Sequence, residues 1–127
     1  MKLLLIVALL FMSSVQAKPG FEREGYYSDQ ICSEVYKGTP VTSGKFRPDC
    51  ETAFAVIEAD WGDYNGKGSL AKVYECLGQA AFYGHIYNKQ PVCLLLVASE
   101  EEKQVLEQYR PVFEKSNVGL TFELVQP

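Results

Sequence analysis

The run from Pro91 to Ala98 (PVCLLLVA) places the tightest limit on what this chain can fold into. It has the length of a strand, and it lacks the alternation of apolar and polar residues that marks a strand with one wet face. Such a strand must be covered on both sides. The expectation is therefore a sheet with this strand at its centre and helices packed against it.

The neighbouring segments supply the other layers. Thr52 to Asp60 (TAFAVIEAD) is rich in β-branched and aromatic residues and predicts a second buried strand. A short extended segment at Lys45 to Arg47, ending at Asp49, precedes it. After the loop Trp61 to Gly68, Ser69 is a good N-cap, and the spacing predicts a helix from Leu70 to about Asn88. Leu70, Val73, Leu77, Ala80, Ala81 and Gly84 form its packing stripe. Ser99 opens another helix, reaching about Lys115, whose three glutamates stand where the helix dipole favours acids. Val118, Leu120, Phe122 and Leu124 alternate with smaller or polar residues, which predicts a closing half-buried strand. Upstream, Ser28 caps a predicted short helix to about Tyr36, and Lys37 to Gly44 reads as a turn. The order α-β-β-α-β-α-β makes the chain α/β, a mixed central sheet flanked by helices.

Met1 to Ala17 carries an early lysine, an apolar run from Leu3 to Met12 and a small-residue ending, the pattern of a secretory signal peptide. The run is short for a membrane span, so the mature protein is expected to be secreted or periplasmic with no membrane anchor. Residues 18–27 read as a loose arm and 28–127 as one domain. Cys32, Cys50, Cys76 and Cys93 all lie beyond the leader. In an oxidising compartment they permit two disulfides in any of three connectivities. Cys32 is the least obviously placed in an apolar element and the first candidate for pairing. Cys76 and Cys93 read equally well as small core thiols. No spacing approaches that of a zinc site.

Chemistry-bearing residues gather between Asp49 and Tyr83. Glu58 and Asp60 share one face of their strand, near the end where the chain leaves the sheet. Lys72, Glu75, Gln79 and Tyr83 stack along one stripe of the helix that follows. The glycine-rich loop between them fits neither a phosphate-binding loop nor a calcium hand, because the lysine and the carboxylates fall at the wrong positions. His85 is the only histidine and lies off the polar stripe, which argues against a Ser-His-Asp or Cys-His triad.

In this stretch Pro48-Asp49, Glu58 and Gln79-Ala-Ala-Phe-Tyr83 resemble the acids and the Gln-x3-Tyr helix motif of the PD-(D/E)XK nuclease superfamily, in its RecB-like branch. The wider wording is also similar to small endonuclease-like proteins of bacteria and phages. The likeness covers roughly residues 45 to 97. It implies a restriction-endonuclease-like core and a metal-dependent nuclease, acting on DNA more readily than RNA. It further implies Asp49 and Glu58 as ligands of Mg²⁺ or Mn²⁺ with the Ala59 carbonyl, and Asp60 and Glu34 as further candidate ligands. Lys72, Gln79 and Tyr83 would complete the catalytic set. One position departs from the pattern: Asp60 stands where the superfamily carries its lysine. Lys72 is then the migrated lysine, with Lys67 the second choice. The acidic balance, a formal charge of −4 before the leader and its lysine are removed, opposes a polyanionic partner. A metal and a groove bearing Lys45, Arg47, Lys67 and Lys72 would offset it locally. The competing expectation is a catalytically inactive nuclease-fold domain that binds or inhibits.

Overall fold

The structure, a computed structural model, describes residues 21–62 and 70–125. The leader, the first residues of the arm, the Ser69 cap and Lys67 lie outside them. Helix α1 (Phe21–Glu34) is followed by strands β1 (Cys50–Glu51) and β2 (Ala55–Trp61), helix α2 (Leu70–Tyr87) and strand β3 (Gln90–Val97). Helices α3 (Glu100–Glu107) and α4 (Arg110–Lys115) and strand β4 (Gly119–Leu124) complete the order. The sheet runs β1-β2-β3-β4, with β1 antiparallel to β2 and the other pairs parallel. It is a mixed four-stranded sheet flanked by helices.

Strand order settles which helices cover which face. The two parallel crossovers step in the same direction, so right-handed connections put α2 and the α3–α4 pair on one side. Cys93, Leu95 and Val97 point into that layer, with Val73, Cys76, Ala80, Leu106 and Phe113. Ile57, Ala59, Trp61, Leu94 and Leu96 point the other way, where Cys32 brings α1 over them. The central position read from the Pro91–Ala98 run is what the sheet shows. Leu94, Leu95, Leu96 and Val97 are all within 1% of complete burial, each stabilising the fold by roughly 2 kcal/mol.

Several boundaries differ from the sequence expectation. Helix α1 begins at Phe21, inside the expected loose arm, and Ser28 is not its cap; its hydroxyl donates back to the Gly25 carbonyl at 3.2 Å as an interior helix residue. Lys45 to Arg47 form no strand, and the first strand is confined to Cys50–Glu51. The second strand starts at Ala55 because Thr52 turns the chain: its Oγ1 accepts from the Ala55 N–H at 3.0 Å and the Phe54 N–H at 3.3 Å. The expected single helix from Ser99 to Lys115 is two. Pro111 has no N–H and its ring crowds the preceding turn, so the chain restarts at Arg110. Helix α2 ends as read, with Asn88 left-handed (φ 53°) while the Lys89 N–H donates to the Gly84 carbonyl and the Asn88 N–H to the His85 carbonyl.

Two disulfides staple these layers. Cys32–Cys50 ties α1 to β1, and Cys76–Cys93 ties α2 to β3. Loops of 18 and 17 residues are closed, each a restriction of the unfolded chain of about 3 kcal/mol. The pairing of Cys32 agrees with the sequence expectation. Cys76 and Cys93 are bonded and not free core thiols. Among the described residues no helix is long and apolar enough to cross a membrane.

Candidate functional site

Register explains how the acids meet. Cys50 stands opposite Ile57, so one step further the antiparallel pair sets Asp49 against Glu58, on the same face. The Asp49 carboxylate is anchored there by the Ala59 N–H, which donates to Oδ2 at 2.7 Å. A strand residue sends its N–H and C=O to the same edge, so the Ala59 carbonyl leaves toward Asp49 as well. Glu58 is only 7% exposed and Asp60 4%, both on the face covered by α2. The two faces of β2 are thus chemically distinct: Ile57, Ala59 and Trp61 pack under α1, and the acids look toward α2.

Burial and crowding govern the protonation of these groups. The Glu58 carboxyl is pushed up to about 10, first by desolvation, then by its hydrogen bond with Asp49 and the charges of Asp49 and Asp60. The shift favours the protonated carboxyl, whose O–H can donate a hydrogen bond toward Asp49. Asp60 is raised to about 6, chiefly by burial, with the Lys72 ammonium opposing the shift. Burial and the charges of Glu58 and Asp49 also raise the Tyr83 phenol, whose oxygen accepts from the Arg47 backbone N–H.

Helix α2 delivers the remaining expected residues unequally. Lys72 approaches Asp60 to 3.4 Å and Glu75 to 3.9 Å. Among the described residues its nearest acid is therefore Asp60, which the resemblance sets in the lysine position, and not the Asp49–Glu58 pair. Sequence reasoning put the lysine on the right face but did not foresee this ion pair, although the replacement of a lysine by an acid was its signal. Tyr83 is half-buried beside the acids, whereas Gln79 is exposed and makes no hydrogen bond among the described residues. Glu34 is not part of the site: it ends α1, exposed, and α1 covers the opposite face of the sheet. Cys76 lies 3.5 Å from the Glu58 carbonyl oxygen. Bonded to Cys93, that sulfur has no proton to donate, so the contact is packing that fixes α2 beside β2.

The donor set suits one kind of cation. Among the described residues no group of three or more His, Cys, Asp or Glu side chains converges as a closed metal cage. Two touching carboxylates and a nearby carbonyl match instead the habit of Mg²⁺, which takes one or two carboxylates and completes its shell with water or phosphate oxygen. Neither of two surface clefts found among the described residues contains these acids. The larger, about 510 Å³, opens at the other end of the sheet near Phe54, His85 and Asn117. No known protein family, curated protein or solved structure matches the chain.

Proposed function

We propose that the protein is an exported, metal-dependent phosphodiesterase of PD-(D/E)XK type acting on nucleic acid, with DNA favoured over RNA. The observation that carries this reading is the meeting of Asp49 with the buried Glu58 on the face beneath α2, where the Ala59 N–H holds the Asp49 carboxylate at 2.7 Å. The mixed sheet and its flanking helices are compatible with a restriction-endonuclease-like core. Asp49 and Glu58, with the Ala59 carbonyl, are the residues that would hold Mg²⁺ or Mn²⁺; when bound, such an ion supplies charge for the phosphate oxygens and a more acidic water.

The chain's own groups divide the remaining work. Glu58 enters protonated and yields its proton when a cation is taken up. Lys72, kept charged by Asp60 and Glu75, offers a compact cation to the charge that develops on phosphorus oxygens. The Tyr83 hydroxyl can donate to a phosphate oxygen, and Gln79 stands further out on the same helix for the substrate backbone.

A second reading is favoured by one specific contact. The Lys72 ammonium is already neutralised by Asp60, as expected of a nuclease-fold domain that binds or inhibits without catalysis. Incubating the purified mature protein with plasmid and with single-stranded DNA, in Mg²⁺, Mn²⁺ or chelator, separates the two. Cleavage with either ion and none in chelator supports the enzyme; intact DNA in every condition supports the binding domain.

A further inference from the structure

Beside the acid pair, the segment before Asp49 folds onto the outer face of α2 and leaves a platform that the chemistry above does not use. The Tyr87 hydroxyl donates to the Phe46 carbonyl at 2.6 Å, which pins the segment to the helix. Phe46 meets Phe82 edge to face with ring centroids 5.5 Å apart, and Phe82 meets Tyr83 at 5.7 Å. The aromatic chain therefore ends on the residue that touches the acids' field. Phe82 remains 48% exposed and Ile86 43%, one turn apart on the same face of the helix. Next to them is a cleft of about 280 Å³ lined by Gly44, Lys45, Phe46, Ile86 and Tyr87.

Charge completes the pattern. The Lys45 ammonium sits 5.5 Å from the Phe46 ring centroid. Lys45 and Arg47 are both exposed, and neither has an acidic partner among the described residues. In the larger cleft, by contrast, Lys89 is already committed, 2.7 Å from Glu51 and 2.7 Å from the Thr52 carbonyl. The exposed Phe82 ring beside cations with no acidic partner among the described residues suits an unpaired base and its phosphates.

We infer that this platform binds a single strand of nucleic acid, an unstacked base on Phe82 and phosphates on Lys45 and Arg47, leading the strand toward Asp49 and Glu58. The direction of threading rests on the proposed phosphodiesterase; binding itself does not. A duplex buries the faces of its bases, so it gains only the phosphate term. With two cations that term is small, a salt slope of roughly −1.8 in log affinity against log salt for a duplex and roughly −1.4 for a single strand.

Fluorescence anisotropy with a fluorescein-labelled oligothymidylate, in chelator so that nothing is cut, tests the inference. The parent protein should bind the oligothymidylate at least about tenfold more tightly than a hairpin of equal length whose strands are fully paired and closed by a non-nucleotide linker. Phe82→Ala, at an exposed position, should weaken single-strand binding roughly tenfold, and Lys45→Gln should flatten the salt slope by about 0.7. Equal affinity of parent and Phe82→Ala, or equal affinity for strand and hairpin, overturns the inference whatever the cleavage result. Phe82-dependent binding by a protein that cuts nothing with Mg²⁺ or Mn²⁺ upholds it and overturns the enzyme reading.

Discussion

Glu58→Gln should stabilise the metal-free protein, and more so at higher pH. Glutamine keeps the shape of the side chain, and its amide can donate to Asp49 without a proton to lose. In the parent, the folded state holds the Glu58 proton more tightly than the unfolded chain does. That contribution is fully present below the ordinary value of 4.5 and is lost as pH rises toward about 10. Asp60 behaves in the same sense, but over the window from 3.8 to about 6. Between about pH 6.5 and 8.5 Glu58 is therefore the group to watch. One proton held by the folded state and absent from the unfolded state lowers stability by at most about 1.4 kcal/mol per pH unit. Urea unfolding in chelator at several pH values, followed by tryptophan fluorescence, reads the slope directly. The parent should lose about 2 to 3 kcal/mol across that interval, and Glu58→Gln should lose little. A parent whose stability is flat or rises, or a variant that keeps the parent's slope, would refute the reasoning.

Other consequences are as specific. Lys72→Ala should reduce phosphodiester cleavage about a hundredfold while metal binding persists, measured as single-turnover rate against Mn²⁺ affinity. It should also leave Asp60 buried without its counter-charge, so Lys72→Ala with Asp60→Asn should unfold less readily than Lys72→Ala alone in a urea titration. Thiol titration of the purified protein in denaturant should find no free thiol among Cys32, Cys50, Cys76 and Cys93, and replacing Cys76 and Cys93 together by serine should cost about 3 kcal/mol. Gly84→Ala should cost about 1 to 3 kcal/mol by thermal melting, because a Cβ there would stand 2.8 Å from the Pro91 Cβ and push α2 off β3.

Where sequence patterns repeat, they foretold the fold well. The unbroken apolar run gave the central strand, and strand alternation put Glu58 and Asp60 together on one face. The helix spacing brought Lys72 and Tyr83 to that same face. Single-residue events were harder to read. Phe21 to Tyr27 is too polar to declare a helix by periodicity, yet it forms the first half of α1, whose Cys32 is stapled to Cys50. Pro111 was the available signal for the break between α3 and α4. The shortness of β1 follows from Thr52 capturing backbone N–H groups, a local competition that propensity does not rank. The Lys72–Asp60 pair depends on how far α2 slides along β2, and so does the exposure of Gln79; neither distance is encoded in spacing along one helix. Glu34 matched a motif position, but α1 lies across the sheet from the acids.

The central claim is that the Glu58 carboxyl holds a proton beside Asp49 and releases it to solvent when a divalent cation binds there. Isothermal titration of the metal-free protein with Mn²⁺ near pH 8, in two buffers of different ionisation enthalpy, measures both events at once. The account predicts saturable binding with release of about one proton per ion, and loss of that binding in Asp49→Asn. Binding without proton release, binding that survives Asp49→Asn, or no binding by the folded parent would contradict it.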